Sequence, residues 1–212
     1  IIFAEEQIHF RSTQRNDKGW EFDSPEFPHL FGELSGLCQE KNAATVLTAV
    51  GQLRNLGYNI SDQSVYDAFA HVTSLTGLMG RWQQLESSPR LICDTGHNTG
   101  GIQYIVRQLQ NESYQNLRII IGMVNDKDIS GVLAMLPQNA VYYFTRASIS
   151  RALPEERLYE LAIKAGLTGK CYPSVQQAVE AAKKESRPDD LIFVGGSTFI
   201  VADLLKTMLS QQ

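Results

Sequence analysis

The 212-residue sequence is poor in cysteine and has no long apolar run, and each shortage argues against a class of protein. Its three cysteines, Cys38, Cys93 and Cys171, are odd in number and far apart. This argues against a disulfide framework or a zinc site and is typical of reduced thiols in the cytosol. No apolar stretch approaches the roughly 20 residues that span a bilayer, and the start lacks a signal-peptide pattern. We therefore expect a cytoplasmic protein that does not interact with membranes.

An excess of basic charge is missing as well. Nineteen lysines and arginines stand against 23 aspartates and glutamates, which gives a formal net charge of −4. No overall field therefore draws the chain to nucleic acid or to an anionic membrane. We expect no nucleic-acid partner, and any anion must be bound by a local site.

Two nucleotide-binding signatures are also absent. Gly166-Leu167-Thr168-Gly169-Lys170-Cys171 has the wrong glycine spacing for a Walker A loop and a cysteine in place of the magnesium-binding hydroxyl. No fingerprint of three spaced glycines lies between a strand and a helix, which weakens any NAD-binding interpretation. The segment 166–171 is predicted to be a turn.

Strand and helix patterns alternate along the second part of the chain. One predicted strand ends at Cys93, and the others cover 118–123, 140–145, 170–172 and 191–195. The predicted helices cover 102–109, 129–136, 154–164, 174–185 and 197–209. This alternation predicts an α/β fold, a Rossmann-like and mostly parallel sheet with helices on both faces.

The first part of the chain has a different pattern. Residues 1–28 favour small antiparallel strands, and residues 1–5 resemble the middle of a strand. Helices are predicted over 39–56 and 62–72, the second capped by Ser61. Residues 73–80, which carry Gly77 and Gly80, are the predicted hinge.

Polar turns follow four of the predicted strands, at 94–98, 125–128, Arg146 and 195–198. The carboxyl ends of parallel strands meet at one edge of a sheet, where ligands bind beside helix N-termini. We therefore expect Asp94, His97 and Asn98 to face a crevice there. Although strand ends also need polar caps without any function, the residues favour a nucleotide- or carboxylate-binding domain.

Motifs over most of the chain resemble the folylpolyglutamate synthase and dihydrofolate synthase family of the Mur ligase superfamily. The similar blocks are Gly80-Arg81-Trp82-Gln83, then, thirteen positions after Arg81, Asp94-Thr95-Gly96-His97-Asn98, then Gly122-Met123 with Asp126-Lys127-Asp128, Thr145-Arg146-Ala147 and Gly195-Gly196-Ser197. Residues 37–49, with Gln39 and Asn42, resemble the helix that closes the central ATPase domain of that family.

The resemblance implies an ATP-dependent ligase that phosphorylates a pteroate or folate carboxylate and lets the amine of L-glutamate attack the acyl phosphate. It places Asn42 beside adenine, Arg81 on the ATP phosphates and Asp94 on the nucleotide. It also makes His97 and Ser197 catalytic residues near the amino acid and the acyl phosphate. Each has a structural interpretation too: Asn42 as a helix-start residue, Arg81 as a linker ion pair, Asp94 as a turn cap, His97 as a solvent-facing or structural ring, and Ser197 as a helix cap.

The resemblance further assigns residues 1–75 to the end of the central ATPase domain, as a small α+β remnant, and residues 76–212 to the C-terminal domain. The implied cofactors are ATP and Mg²⁺. The phosphate loop and the magnesium ligands are expected in an upstream part, because the chain starts at Ile1. The chain alone is therefore expected to be inactive and, by family likeness, monomeric.

Two alternatives remain open at this point. A peptidoglycan-building Mur ligase would share the fold and the reaction, although no Asp-Asn-Pro-Arg-like motif is found. A stand-alone nucleotide- or carboxylate-binding α/β module would share only the fold.

Overall fold

The chain folds into two units. The computed structural model describes residues 1–16, 18–125 and 128–209. The first unit is Ile1–Arg81, and the second begins at Trp82. The boundary between the units lies after Arg81, six residues beyond the predicted domain boundary at 75/76.

The second unit is built on the strand that comes last in the sequence. Its strands are β4 (Gln83–Ser87), β5 (Arg90–Cys93), β6 (Leu117–Ile121), β7 (Val141–Phe144), β8 (Gly169–Cys171) and β9 (Leu191–Gly195). They form one sheet in the order β4-β5-β9-β6-β7-β8. Only β4 is antiparallel to its neighbour. All five residues of β9 are buried, because this central strand is covered on both faces.

Helices cover both faces of this sheet. They are α5 (Thr99–Gln110), α6 (Ile129–Met135), α7 (Glu155–Lys164), α8 (Val175–Glu185) and α9 (Thr198–Leu209). Side chains of β9 alternate between the two faces: Phe193 belongs to a hydrophobic cluster that includes residues of α5, α6 and α7, whereas Val194 belongs to one that includes residues of α8 and α9. The predicted α/β fold with helices on both faces is confirmed.

The first unit is a small antiparallel sheet with helices. Its elements are α1 (Ala4–Gln7), β1 (Ser12–Asn16), β2 (Gly19–Asp23), β3 (Leu30–Gly32), α2 (Gln39–Asn55), α3 (Asp62–Ala70) and α4 (Val72–Thr76). The strands pair in the order β1-β2-β3. Trp20, Phe22 and Leu30 pack against Ala43 and Leu47 of α2 to form its core. The α+β character predicted for this part is confirmed.

Several local predictions were wrong. Residues 4–7 are helical rather than part of a strand, because Ala, Glu and Gln are strong helix formers. The first half of the predicted hinge is α4, which ends at Gly77 in the left-handed region. Strand β4 was not predicted because its sequence is mostly polar. Helix α5 begins at Thr99, three residues before the predicted start, since Asn98 caps it.

Candidate active site

The polar turns of the second unit gather at one edge of the sheet. Strands β5, β9, β6 and β7 run parallel, so the turns that follow them lie at the same edge. Although β9 is last in the sequence, it lies between β5 and β6, and α5 connects those two strands across it. A crevice at such a reversal of strand order is the usual ligand site of open α/β sheets.

Asp94 follows β5 at this edge, and its carboxylate binds two backbone N–H groups. Oδ1 accepts from the N–H of Gly96 at 2.7 Å, and Oδ2 accepts from the N–H of Trp82 at 2.8 Å. The first bond closes the turn of Asp94 itself, and the second reaches back twelve residues. Both carboxylate oxygens of Asp94 therefore hold backbone groups at the carboxyl end of β5.

His97 is half-buried in the same turn, with its Nδ1 3.0 Å from the carbonyl oxygen of Thr95. A carbonyl only accepts, so Nδ1 carries a proton, and Nε2 is the nitrogen that holds the lone pair in a neutral ring. Asn98, predicted to face the crevice beside it, uses its side-chain oxygen to accept the N–H of Gly101 at 2.8 Å and cap α5. The neutral His97 ring can therefore act as an acceptor through Nε2.

Ser197 lies in the adjacent turn, between β9 and α9. It is buried, and its Oγ accepts the N–H of Phe199 at 3.2 Å, which leaves its hydroxyl proton available for donation. The two turns approach closely, because a Cβ built on Gly195 would lie 2.9 Å from the carbonyl oxygen of Asp94. The edge of the sheet thus brings the turns of Asp94, His97 and Ser197 together.

In the two other turns, the described side chains make local contacts. Asp128 accepts the N–H of Gly131 at 3.0 Å and caps α6, while its predicted neighbours Asp126 and Lys127 lie outside the described residues. Arg146 places its Nε 3.3 Å from the carboxylate of Glu155. Glu155 is 5% exposed, so Arg146 neutralises a buried carboxylate at the start of α7.

Asn42 and Arg81 belong to the first unit. Asn42 is exposed in the first turn of α2, and its Nδ2 donates to Gln39 Oε1 at 3.1 Å. Both amides line a cavity of about 190 Å³ whose walls are mainly apolar, including Phe22 and Phe69. An apolar slot with amides at its rim suits a flat heteroaromatic ring. Arg81 has an exposed side chain at the end of this unit.

Comparison with known protein families shows which family the chain belongs to. The family model described as "Mur ligase, glutamate ligase domain" matches residues 80–198, more than half of the chain. The chain belongs to the Mur ligase family. This membership confirms the resemblance found in the sequence motifs, which lie mostly within the matched range.

Individual members of the Mur ligase family narrow the relationship. The dihydrofolate synthase/folylpolyglutamate synthase of Escherichia coli is 31% identical over 206 residues, covering 92% of this chain and 46% of that protein. The folylpolyglutamate synthase of Lacticaseibacillus casei is 26% identical over 83% of this chain and 40% of its own length. The chain therefore spans less than half the length of these relatives.

Solved structures agree. E. coli FolC in complex with DHPP and ADP superimposes with a TM-score of 0.75 at 28% identity, covering 94% of this chain and 46% of that chain. The Mycobacterium tuberculosis folylpolyglutamate synthase complexed with ADP gives 0.82 at 20% identity, covering 98% of this chain and 49% of that chain, and shows the same fold.

No metal site of this Mur ligase chain lies within residues 1–16, 18–125 and 128–209, where no group of three or more His, Cys, Asp or Glu side chains could hold an ion. In the same ranges, no helix is both long and apolar enough to cross a membrane.

Sequence reasoning missed two residues that shape this site. Trp82 adopts a positive φ of 49°, which nothing in its sequence context signals, since tryptophan rarely enters the left-handed region. Glu155, in the first turn of α7, was not predicted as a site residue, yet it is buried beside Arg146. The placement of Thr145-Arg146 directly after a strand was the available signal for this pair.

Proposed function

We propose that the complete gene product carrying this chain is an ATP-dependent ligase that joins L-glutamate to dihydropteroate, to folates, or to both, through an acyl phosphate. The observation that carries the proposal is the pairing of the Asp94–His97 turn with the Ser197 turn at the carboxyl edge of a Mur ligase sheet. Relatives of the chain are named dihydrofolate synthase/folylpolyglutamate synthase and folylpolyglutamate synthase. These names favour a folate substrate over a peptidoglycan precursor.

The proposal assigns nucleotide-binding roles to Asn42, Arg81 and Asp94. The cavity beside Asn42 accepts the adenine ring, and the Asn42 amide pairs with its edge. The Arg81 guanidinium offers a fork of donors to the phosphates, and Asp94 contributes to nucleotide binding from the end of β5. Related structures contain ADP or AMPPNP with manganese, which supports an adenine nucleotide and a divalent cation such as Mg²⁺.

The chemistry assigned to this chain is the transfer of the acyl group to glutamate. Phosphorylation of the carboxylate by ATP releases ADP and replaces a poor leaving group with phosphate. The glutamate amine must be unprotonated to attack, and the proposal assigns its proton to the Nε2 lone pair of His97, whose Nδ1 is held by the Thr95 carbonyl. The Ser197 hydroxyl donates to an oxygen of the acyl phosphate, where negative charge grows as phosphate leaves.

The two units fit this assignment as parts of two domains. We infer that residues 1–75 complete a central ATPase domain and that residues 76–212 form the Mur ligase C-terminal domain. The complete product is inferred to act as a cytoplasmic monomer.

Steady-state assays of the complete gene product test the proposal. Glutamate-dependent ADP release is measured with dihydropteroate and with tetrahydrofolate, and activity with at least one is expected. Activity with neither contradicts the folate assignment. Activity with a peptidoglycan precursor would instead favour the other Mur ligase alternative, and tight ATP binding without turnover would favour a binding module.

A further inference from the structure

The carboxylate of Asp94 does more than close its own turn. Only Oδ1 is needed for that purpose, through the N–H of Gly96 at 2.7 Å. Oδ2 binds the N–H of Trp82 at 2.8 Å, twelve residues earlier in the chain. A turn cap explains the first bond and leaves the second without a local reason.

Trp82 is held in a conformation that needs support. Its φ of 49° lies in the left-handed region, which is unfavourable for a bulky side chain. Its indole is 5% exposed and stacks on Phe193 of the central strand, with ring centroids 5.9 Å apart and planes at 30°. The stack and the Asp94 bond together compensate for this backbone conformation. We call the set of Asp94, Gly96, Trp82 and Phe193 the Asp94 clasp.

The clasp determines the orientation of the peptide bond before Trp82. The N–H that Asp94 binds belongs to the peptide joining Arg81 to Trp82. With that N–H bound and the φ of Trp82 fixed, the plane of this peptide is fixed relative to the end of β5. The direction in which Arg81 leaves Trp82 therefore depends on Asp94.

We propose that Asp94 is a positioning residue that acts through the Trp82 N–H to aim Arg81 at the phosphates of the nucleotide. This inference rests on the proposed function, because that function gives Arg81 a phosphate to bind. It differs from a direct contact of Asp94 with the nucleotide, because a positioning role makes the effect of Asp94 depend on the presence of the Arg81 guanidinium.

A double-mutant cycle separates these two roles. Asp94→Asn presents an NH₂ group to one of the two N–H donors, so one bond of the clasp is lost. In the complete gene product, we expect Asp94→Asn to lower kcat for ADP release by about 10²-fold, as misplaced catalytic groups do. In an Arg81→Ala background the same change should cost less than about two-fold. Equal losses in both backgrounds would overturn the proposal.

Fluorine NMR of the chain labelled with 5-fluorotryptophan provides a readout that does not require activity. The chain has two tryptophans, Trp20 and Trp82. Asp94→Asn should move the Trp82 signal towards that of an exposed indole and leave the Trp20 signal in place. Ser174→Ala, which removes a helix cap elsewhere in the same unit, should move neither. An unchanged Trp82 signal in Asp94→Asn would contradict the clasp.

The outcomes distinguish this inference from the proposed function. A wild-type protein without glutamate-dependent ADP release contradicts the proposed function, whereas an active wild type with additive losses contradicts only the role of Asp94. If Asp94→Asn is recovered unfolded, Asp94→Glu replaces it in the same cycle, because it keeps the charge and moves the oxygens by one methylene.

Discussion

Three polar side chains at the carboxyl edge of the sheet each bind a backbone group close to them in sequence. Asp94 binds the N–H of Gly96, His97 binds the carbonyl of Thr95, and Ser197 binds the N–H of Phe199. These bonds match the structural interpretations that the sequence allowed. They also fix the direction in which each side chain presents its remaining donor or acceptor, which is what a preorganised site requires.

His97 gives the first prediction. In His97→Asn the amide can still donate to the carbonyl of Thr95, but no lone pair remains at the position of Nε2. We expect kcat for glutamate-dependent ADP release to fall by about 10²-fold or more, as for the loss of a general base, while KM for ATP stays the same. Steady-state kinetics of the complete gene product measures both constants.

The matched control for this variant is His9→Asn, since His9 is exposed in the first unit. It should leave both constants unchanged. A variant His97→Asn with the wild-type kcat would show that the imidazole does not take the proton, and Ser197 or a solvent molecule would then be the next candidate.

Asp190 gives a second prediction, at the opposite edge of the sheet. Its side chain is fully buried and accepts from Asn116, Arg118 and the N–H of Arg187. Burial alone would raise the pKa of Asp190, but these donors outweigh it and lower the pKa below its ordinary value of 3.8. A lowered pKa contributes stability that is complete above the unfolded-state value and is lost as the pH falls through the folded-state value.

We expect Asp190→Asn to reduce the free energy of unfolding by about 3 kcal/mol at pH 7, because it removes the buried carboxylate that pairs with Arg118. The difference from wild type should narrow as the pH falls below about 4. Urea unfolding at a series of pH values measures this. Asp189→Asn, at an exposed neighbouring position, should change the free energy by less than about 0.5 kcal/mol. A difference independent of pH would contradict the assigned protonation linkage.

At the scale of elements, the turn from β9 to α9 depends on a glycine. Gly196 has a φ of +87°, and a Cβ there would lie 2.6 Å from Ile121 Cγ1 and 2.8 Å from the carbonyl oxygen of Gly122. Gly196→Ala should therefore destabilise the second unit by about 2 kcal/mol or more. Urea unfolding followed by circular dichroism measures the change.

Gly51 provides the opposite case for comparison. It lies inside α2, and a Cβ there meets nothing within 4 Å. Gly51→Ala should stabilise the first unit by about 0.5–1 kcal/mol, because alanine loses less entropy in a helix than glycine does. Similar effects of the two substitutions would contradict the steric argument for Gly196.

Most elements of the second unit were predictable because local signals agreed. Leu191–Gly195 was predicted with its observed bounds, and α7 carries acids in its first turn and Lys164 in its last. The predicted helix begins at Pro154, whereas α7 begins one residue later, at Glu155, and Pro154 is its N-cap. The order of the strands was not predicted, because the insertion of β9 between β5 and β6 depends on long-range pairing that leaves no periodic signal.

The candidate site was predictable as a set of turns and less so in its contacts. Polar residues after apolar strands indicated Asp94, His97 and Ser197, and parallel pairing then brought their turns to one edge. The bond from Asp94 to Trp82 could not be predicted, because it needs a tryptophan with positive φ that only tertiary packing on Phe193 supports. The roles of Asn42, Arg81, Asp94, His97 and Ser197 stay predictions.

At the scale of the whole molecule, the second unit is completed by the last strand of the sequence. β9 pairs with β5 on one side and with β6 on the other, so the sheet is continuous only when β9 is in place. The turn that carries Ser197 follows this strand directly. Completion of the fold and of the candidate site therefore depends on the same segment, which pairs Leu191 with Arg90 from far earlier in the chain.

The last prediction concerns what the 212-residue chain can do alone. Its sequence has no Walker A loop, and the resemblance places the phosphate loop and the magnesium ligands in an upstream part. We expect the purified chain, with ATP, Mg²⁺, L-glutamate and dihydropteroate or tetrahydrofolate, to release no ADP above background, whereas the complete gene product releases it in a glutamate-dependent way. Circular dichroism must show that the chain is folded in the same buffer. Glutamate ligation by the folded chain would mean that its own two units form a complete active site, and the assignment of phosphate binding to a separate segment would then be wrong.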